Sequence, residues 1–346
     1  MDTATPKIGS SSTDVPTATP SKSTKTLLRD IAASTLQVIE DGQIEVDGLL
    51  FDIKNTVESM IQETRLYAAD DPAVMTWATS NPNRTISHPG ASITVSECST
   101  LVGARALHQL VSSGVTPISK QAHEIPRIGV LNFASAKNPG GGFAKGAQAQ
   151  EESIARSSTI HASLVSASSQ PFFRIHKKDP KGGYYSHTIL YIPHVLFFRS
   201  DSGEWLPPIE VDVVSSAAVN AGVVRRRFRI NQDLEAGEED GNARDENMVE
   251  QDISAAMRER MGRILSVFER HNVRNLVLGS FGTGVFRNKV EVVADIWKNL
   301  LVGDNARFKH SFDRVVFAVL GHATFQVFQQ TFYEGGVEVQ ETDSQK

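Results

Sequence analysis

Two adjacent carboxylates follow a run of three glycines near the middle of the chain, in "NPGGGFAKGAQAQEES" (residues 138–153). Gly140, Gly141 and Gly142 have no Cβ, so backbone N–H groups there can approach a ligand and φ can be positive. After a short spacer come Gln150, Glu151 and Glu152. Carboxylates so placed could do general acid–base work on a bond held against the glycines. On a helix, two sequential residues point about 100° apart. The pair therefore cannot form the opposed carboxyls that flank the scissile bond of a common glycosidase. One acid could reach a reacting atom while the other holds a substrate hydroxyl. The plainer alternative is that both simply complement a helix N-terminus.

A second glycine turn, Gly279-Ser280-Phe281-Gly282-Thr283-Gly284, lies downstream. Each turn follows a short apolar run, "RIGVLNFASA" or "VRNLVLG", that reads as a buried strand. Two such loops at one sheet edge suit a diphosphate or a sugar-phosphate. Neither is followed by the Gly-Lys-Ser/Thr of a Walker loop, and the second lacks the dinucleotide Gly-x-Gly-x-x-Gly spacing. Either loop alone is better explained by a tight turn; the pair around a Glu-Glu step points to a ligand.

The elements that must position these residues alternate between strand and helix. "TLLRDIAASTLQVIED" sets Leu28, Ile31, Thr35, Val38 and Ile39 on one helical face. "QIEVDGLLFDI" is strand-like, and a polar helix follows from about Asn55 to Glu63. "SITVSECST" reads as a strand entering the helix "TLVGARALHQLVSSG", capped at Gly114. "QEESIARSSTIHASL" has helical spacing. "HTILYIPHVLFFRS" and "PIEVDVVSSAAVN" are strand candidates, "ISAAMRERMGRILSVFERH" is an amphipathic helix, and Arg314 to Gly321 and "ATFQVFQQTF" form a last strand and helix. The alternation predicts a three-layer α/β/α domain.

The chain has 346 residues, 40% hydrophobic and 22% charged, with a net charge of −5. Those values describe an ordinary globular protein and argue against a general nucleic-acid clamp. A single cysteine, Cys98, excludes an intramolecular disulfide and a Cys-rich zinc site. No apolar run reaches the length of a membrane span, and there is no signal-peptide core. The expectation is an intracellular protein, cytoplasmic or nuclear. Residues 1–24 hold eleven Ser/Thr and three Pro, which predicts a disordered tail. Residues 233–252 hold nine acids against one base, Arg244, which reads as an exposed acidic loop.

The catalytic stretch "VLNFASAKNPGGGFAKGAQAQEESIARSS" resembles the signature of the poly(ADP-ribose) glycohydrolases in their compact bacterial and fungal form. "SITVSECSTLVGARAL", "FFRSDSGEWL", "VDVVSSAAVNAG" and "LVLGSFGTGVFRN" agree in the same order, and the resemblance covers about Leu27 to Tyr333. It implies an α/β macrodomain, three α/β/α layers with a mixed central sheet and an N-terminal helical extension. The implied boundaries are a macrodomain at 25–336, with its extension at 25–90 and an acidic insertion at 232–250, between tails at 1–24 and 337–346.

The resemblance further implies that Glu152 is the catalytic acid/base, with Glu151 and Gln150 holding the distal ribose. Gly140, Gly141 and Gly142 would line that ribose and the diphosphate. Gly282, Thr283, Gly284 and Val285 would wrap the diphosphate, with Phe286 beside the distal ribose and Asn132 and Asn138 as ribose contacts. Relatives usually carry Ala-Trp and Cys where this chain has Ser280-Phe281 and Thr283, which bears on selectivity. The implied reaction is hydrolysis of ribose–ribose bonds in poly(ADP-ribose), with ADP-ribose as product. Partners would be the polymer and ADP-ribosylated proteins, with no membrane, no sequence-specific nucleic acid, no cofactor and a monomeric enzyme.

Competing readings are an ADP-ribose reader without turnover, a hydrolase of single ADP-ribose units, and a structural protein whose glycines are turns. A reader has no use for an acid at Glu152. Elsewhere the residues take plainer readings. Arg225–Arg227 reads as a solvated strand edge or turn, with a surface contact to polymer as the sharper alternative, and Cys98 as a small buried apolar residue. His161, His187, His194 and His322 lack metal-ligand spacing. Tyr184 and Tyr185 suit either stacking on adenine or packing.

Overall fold

Along the strand that precedes the first glycine turn, successive side chains enter opposite cores, Val130 on one side and Leu131 on the other. That alternation is what a sheet covered on both faces requires. The structure, a computed structural model, describes residues 23–79, 90–113, 126–179, 181–235 and 245–333. The two tails, apart from the residues next to the domain, and the cap at Gly114 lie outside the described residues.

From the N-terminus come α1 (Thr24–Asp41), the hairpin β1 (Gln43–Val46) and β2 (Leu49–Asp52), α2 (Lys54–Glu63), β3 (Arg65–Tyr67) and α3 (Pro72–Met75). β4 (Ser92–Ser96), α4 (Thr100–Ser113) and β5 (Ile128–Phe133) lead to a 3-10 turn at Phe143–Lys145. Three helices follow: α5 (Gln150–Ser157), α6 (Ile160–Leu164) and α7 (Gln170–Lys178). Then come β6 (Ile189–Arg199), β7 (Trp205–Ser216), α8 (Ala221–Glu235) and α9 (Glu246–Arg270). β8 (Asn275–Leu278), α10 (Val290–Leu301), β9 (Arg314–Ala318) and α11 (His322–Tyr333) complete the domain.

Seven strands form one sheet in the order β3-β6-β7-β5-β8-β9-β4. Pairing is parallel from β7 through β5, β8 and β9 to β4, and antiparallel at β3–β6 and β6–β7. One face packs Leu131, Leu276 and Val214 under α9, α10 and α11; the other packs Val130, Val277 and Val213 under α4, α5 and α7. The mixed three-layer architecture agrees with the expectation from the sequence. Among the described residues, no helix is long and apolar enough to cross a membrane.

Four expectations need correction. The span "QEESIARSSTIHASL" is two helices, because Ser158 is extended (φ −151°) and Thr159 N–H donates to Leu196 O at 3.1 Å. Arg225–Arg227 lies in α8 and not on a strand edge, although the β-branched "GVVRRRFRI" suggests extension. The acidic stretch is helical at both ends: α8 runs to Glu235, and Asp245 caps α9 by accepting Met248 N–H at 2.7 Å. The N-terminal extension is not wholly helical, since it holds the β1–β2 hairpin and sends β3 to the sheet edge.

Trp77 closes the N-terminal extension onto α9, donating its indole N–H to Glu259 at 2.8 Å. A Cβ added at Gly262 would meet that ring at 2.5 Å. Replacing a helical glycine by alanine gains about 1 kcal/mol of helix propensity, but overpacking a core costs about 1–3 kcal/mol. Gly262→Ala is therefore expected to be net destabilising. A lower urea midpoint at unchanged slope is the expected result; a higher midpoint would refute the close packing.

Candidate active site

Five parallel strands end at one edge of the sheet, and a cleft of about 720 Å³ opens over their carboxyl ends. Its walls are the loop after β5, the first turn of α5, the loop after β8 and the segments following β4 and β9. That edge is where open α/β sheets collect ligands.

Glu152 is half-buried on the cleft wall, and its Oε1 accepts the Gly142 N–H at 2.9 Å. Among the described residues, Oε2 has no hydrogen-bond partner. Gly141 has φ +60°, and a Cβ there would collide with Glu152 Oε1. Gly141 thus satisfies two demands at once, a left-handed backbone and contact with a carboxylate. Gly140 also needs its positive φ (+67°), but it faces Phe143 and Ala155 and does not line the cleft.

Glu151 is 2% exposed. Its Oε2 accepts Ser135 N–H at 2.7 Å, and its Oε1 lies 3.4 Å from the Asn132 amide. Burial pushes its pKa up to about 8, with the Glu152 charge adding to the rise while the Ser135 and Asn132 hydrogen bonds oppose it. The two acids share one helical turn but have different surroundings.

Asn132 does not line the cleft. It is fully buried, and its amide donates to Ser215 Oγ at 2.7 Å as well as approaching Glu151. The structure places Asn132 behind the cleft wall, against the acid beside the cleft. Gln150 lines the cleft, but its amide is already engaged. Nε2 donates to Leu131 O at 2.8 Å and Thr100 Oγ1 at 3.1 Å, and Oε1 accepts Phe133 N–H at 2.8 Å. Gln150 thereby straps α5 to the end of β5. Asn138 stands on the cleft wall, where its carbonyl accepts Gly141 N–H at 3.0 Å.

In the second loop, Gly282 has φ +76°, and a Cβ would strike Ala218 and the Asn288 amide. Asn288 donates to Gly282 O at 2.9 Å and to Val219 O at 2.8 Å, which pins the loop to the end of β7. Thr283 Oγ1 donates to Ser280 O at 3.0 Å. Gly284 has no such internal reason: a Cβ there would meet nothing within 4 Å. Val285 is 82% exposed, and Phe286 packs against Tyr185 with ring centres 5.9 Å apart. All five of Gly282 to Phe286 line the cleft.

Several cleft residues carry no sequence signal. Ser135, Thr100, Asp201 and Leu320 come from four separate segments that only the sheet brings together. Cys98 is partly buried on the cleft wall, not fully buried as expected, and its thiol is pushed up to about 11 by burial and by Asp201. Behind the loop that follows β5 stands α1. Thr35 Oγ1 donates to Arg156 O at 2.6 Å, Arg29 Nε to Lys145 O at 3.3 Å, and Arg156 Nη1 to Ala147 O at 2.5 Å. Among the described residues, no cluster of three His, Cys, Asp or Glu side chains could hold a metal.

Residues 32–200 match the family model for the catalytic domain of microbial-type poly(ADP-ribose) glycohydrolase (PARG). The poly(ADP-ribose) glycohydrolase of Thermomonospora curvata is 32% identical and superposes with a TM-score of 0.71, covering 88% of this chain and 99% of that one. The chain belongs to the poly(ADP-ribose) glycohydrolase family. The fold is accordingly a macrodomain, and the protein is a hydrolase of the glycosidase class. The T. curvata protein bound to the inhibitor ADP-HPD is similar at 31% identity and a TM-score of 0.69, over 88% of this chain and 98% of that one. The glycohydrolase of Deinococcus radiodurans in complex with ADP-ribose is 29% identical with a TM-score of 0.64, over 84% of this chain and 99% of that one. No curated protein matches the chain in sequence.

The buried Glu151 has a consequence for stability. In the unfolded chain it ionises near the ordinary 4.5, whereas in the folded protein it keeps its proton to about 8. Between those pH values the folded state binds more protons, so this group's contribution falls as pH rises and levels off above the folded pKa. Glu151→Gln, which mimics the neutral acid, should gain stability relative to the parent as pH is raised from 5 to 9. Melting temperatures across that range check it; a constant difference between the two proteins would contradict the raised pKa.

Proposed function

We propose that this protein hydrolyses the ribose–ribose O-glycosidic bonds of poly(ADP-ribose), releasing ADP-ribose, with Glu152 as the single general acid/base. The observation that carries this reading is a carboxylate anchored by one oxygen to Gly142 N–H, with its other oxygen free among the described residues, between two glycine loops. The binding of ADP-ribose by the D. radiodurans relative supports the choice of ligand.

In this reading the diphosphate lies along Gly141, Gly142 and Gly282 to Gly284. Gly284, whose lost Cβ would meet no protein atom, leaves room for it. The distal ribose packs by Phe286, near Asn138. Glu152 Oε2 protonates the oxygen leaving the distal anomeric carbon; the C–O bond breaks with its electron pair on that oxygen, and an oxocarbenium-like centre develops. Glu152, now ionised, takes a proton from water as the water oxygen bonds to the anomeric carbon, which restores the acid. The substrate's own diphosphate stabilises the cation, so no second carboxylate nucleophile is needed. Holding diphosphate against ribose in one geometry is itself a source of rate.

Glu151 acts here as a neutral neighbour. Its buried, protonated state removes one negative charge from a site that must admit a diphosphate. Asn132 and Gln150 act as positioning residues for the pair. The enzyme works as a monomer inside the cell, without a cofactor, on polymer attached to proteins in the reversal of ADP-ribosylation. The body from residue 25 to 336 is one catalytic domain.

Glu152→Gln should lower release of ADP-ribose from polymer by about 10²–10⁴-fold, the usual range for removing a general acid–base, while ADP-ribose binding measured by calorimetry stays nearly intact. Unaffected hydrolysis would overturn the assignment. A wild-type protein that binds ADP-ribose but releases none would identify a reader, and preference for mono-ADP-ribosylated protein over polymer would identify the other hydrolase. Gly141→Ala should fold yet lose at least about tenfold in turnover, because the added methyl group displaces the carboxylate. Retention of full activity would show that the contact between Gly141 and Glu152 is dispensable.

A further inference from the structure

A second cavity, about 570 Å³, opens beside the cleft between α7 and the turn leading into β6. Its apolar floor includes Pro171, Ile175 and Tyr185, and its rim carries Arg174, Lys178 and Lys181. Ile175 is an exposed hydrophobic side chain, 39% accessible. Arg227, from α8, packs over Gly182 next to Lys181. Among the described residues, Arg174, Lys177, Lys178, Lys181, Arg226 and Arg227 make no ion pair. Among the described residues the one carboxylate on the rim, Asp179, accepts Gly183 N–H at 2.9 Å.

Cations at Lys177 and Lys178 are favoured by the C-terminus of α7. That account does not reach Arg174, Lys181 or the α8 arginines. One buried group behind the cavity adds to the positive field. Arg260, 1% exposed, donates only to carbonyls, Ala217 O and Tyr184 O, both at 2.8 Å. His187 lines the cavity, and its Nδ1 is buried without a partner among the described residues. A buried guanidinium with no carboxylate is unfavourable unless an anion lies within reach of its charge.

The cavity shares a wall with the catalytic cleft. Tyr185, on its floor, is 5.9 Å from Phe286 of the cleft, ring centre to ring centre. Lys137, next in sequence to Asn138, holds its Nζ 5.9 Å from the centre of the Tyr185 ring. An apolar floor with an aromatic ring and a cationic rim fits a nucleoside diphosphate better than a bare phosphate, because the base has a surface to cover.

We propose that this cavity is a second nucleotide subsite that holds a neighbouring ADP-ribose unit while another occupies the catalytic cleft. The base lies on Ile175, Pro171 and Tyr185, and the diphosphate meets Arg174, Lys178 and Lys181. The subsite rests on the polymer-cleaving reading given above. It makes the enzyme bind a chain more tightly than a single unit, since two linked contacts reinforce each other.

The test compares R174A/K178A/K181A with the parent, and with K54A/R258A/K298A, which removes equal charge elsewhere. The substrates are purified poly(ADP-ribose) and free ADP-ribose. Loss of three exposed phosphate contacts should raise KM for polymer about tenfold and flatten its dependence on salt. The same variant should keep kcat and the calorimetric affinity for ADP-ribose within about twofold, and the control triple variant should resemble the parent. An unchanged polymer KM, an equal rise in the control, or an equal loss of ADP-ribose affinity would each overturn the subsite. If the parent releases no ADP-ribose from polymer, the catalytic reading itself fails; if it does and only the variant comparison fails, the subsite alone is wrong.

Discussion

The Glu152 carboxylate can rest against the backbone of residues 141 and 142 only if position 141 has no Cβ and α5 starts where it does. Oε1 then meets Gly142 N–H at 2.9 Å, which leaves the other oxygen for the cleft. The surrounding structure maintains that contact. Gln150 ties the first residue of α5 to Leu131 and Phe133, so the helix cannot slide along β5. Arg156, one turn further on, grips Ala147 O and is in turn held by Thr35 of α1. The N-terminal extension is therefore continuous with the glycine loop after β5, although it lies far from it in sequence.

The second constraint is charge. A helix N-terminus favours ionised carboxylates, and two of them in the first turn of α5 could both have been expected to ionise. Burial overrides the dipole at Glu151, because desolvating a charge is the larger effect when the group is 2% exposed. The hydrogen bonds from Ser135 and Asn132 reduce the shift without cancelling it. Sequential acids on one turn thus differ in depth, Glu151 sealed in and Glu152 on the cleft wall. The opposed arrangement of a two-carboxylate glycosidase is replaced by an accessible acid backed by a shielded one.

Much of this was legible in the sequence, for physical reasons that differ from residue to residue. Strands β5 and β8 are short apolar runs ended by glycines, and a strand buried on both faces leaves few other compositions. The glycines at 141 and 282 advertise positive φ, and the acid pair announces itself by adjacency. What periodicity does not carry is the use of a polar side chain. Asn132 and Gln150 sit where substrate contacts were expected, yet their amides are engaged by Ser215, Leu131 and Phe133, partners that only the folded sheet supplies. Residues 225–227 misled because β-branched neighbours suit a strand locally, whereas α8 is set by Val224 packing into the core and by pairing with α9. Cys98 and Asp201 face the cleft from segments whose approach depends on strand order alone.

Strand order and helix phase also decide how an acidic protein can meet a polyanion. On α8, Arg225 and Arg229 are four residues apart and share a face. They pair with Glu250 and Glu246 at the start of α9, at 2.5 Å and 3.5 Å. The described end of the acidic segment is thus occupied with the arginines facing it. Arg226 and Arg227 fall on the other side of the helix, where Arg227 packs over Gly182 near Lys181 and the second cavity. One run of arginines is divided by helical periodicity into a neutralised face and a cationic one. A net charge of −5 is an average over both. What a phosphate approaching the cleft encounters is the local field, and that field is set by which carboxylates the acidic segment has already committed.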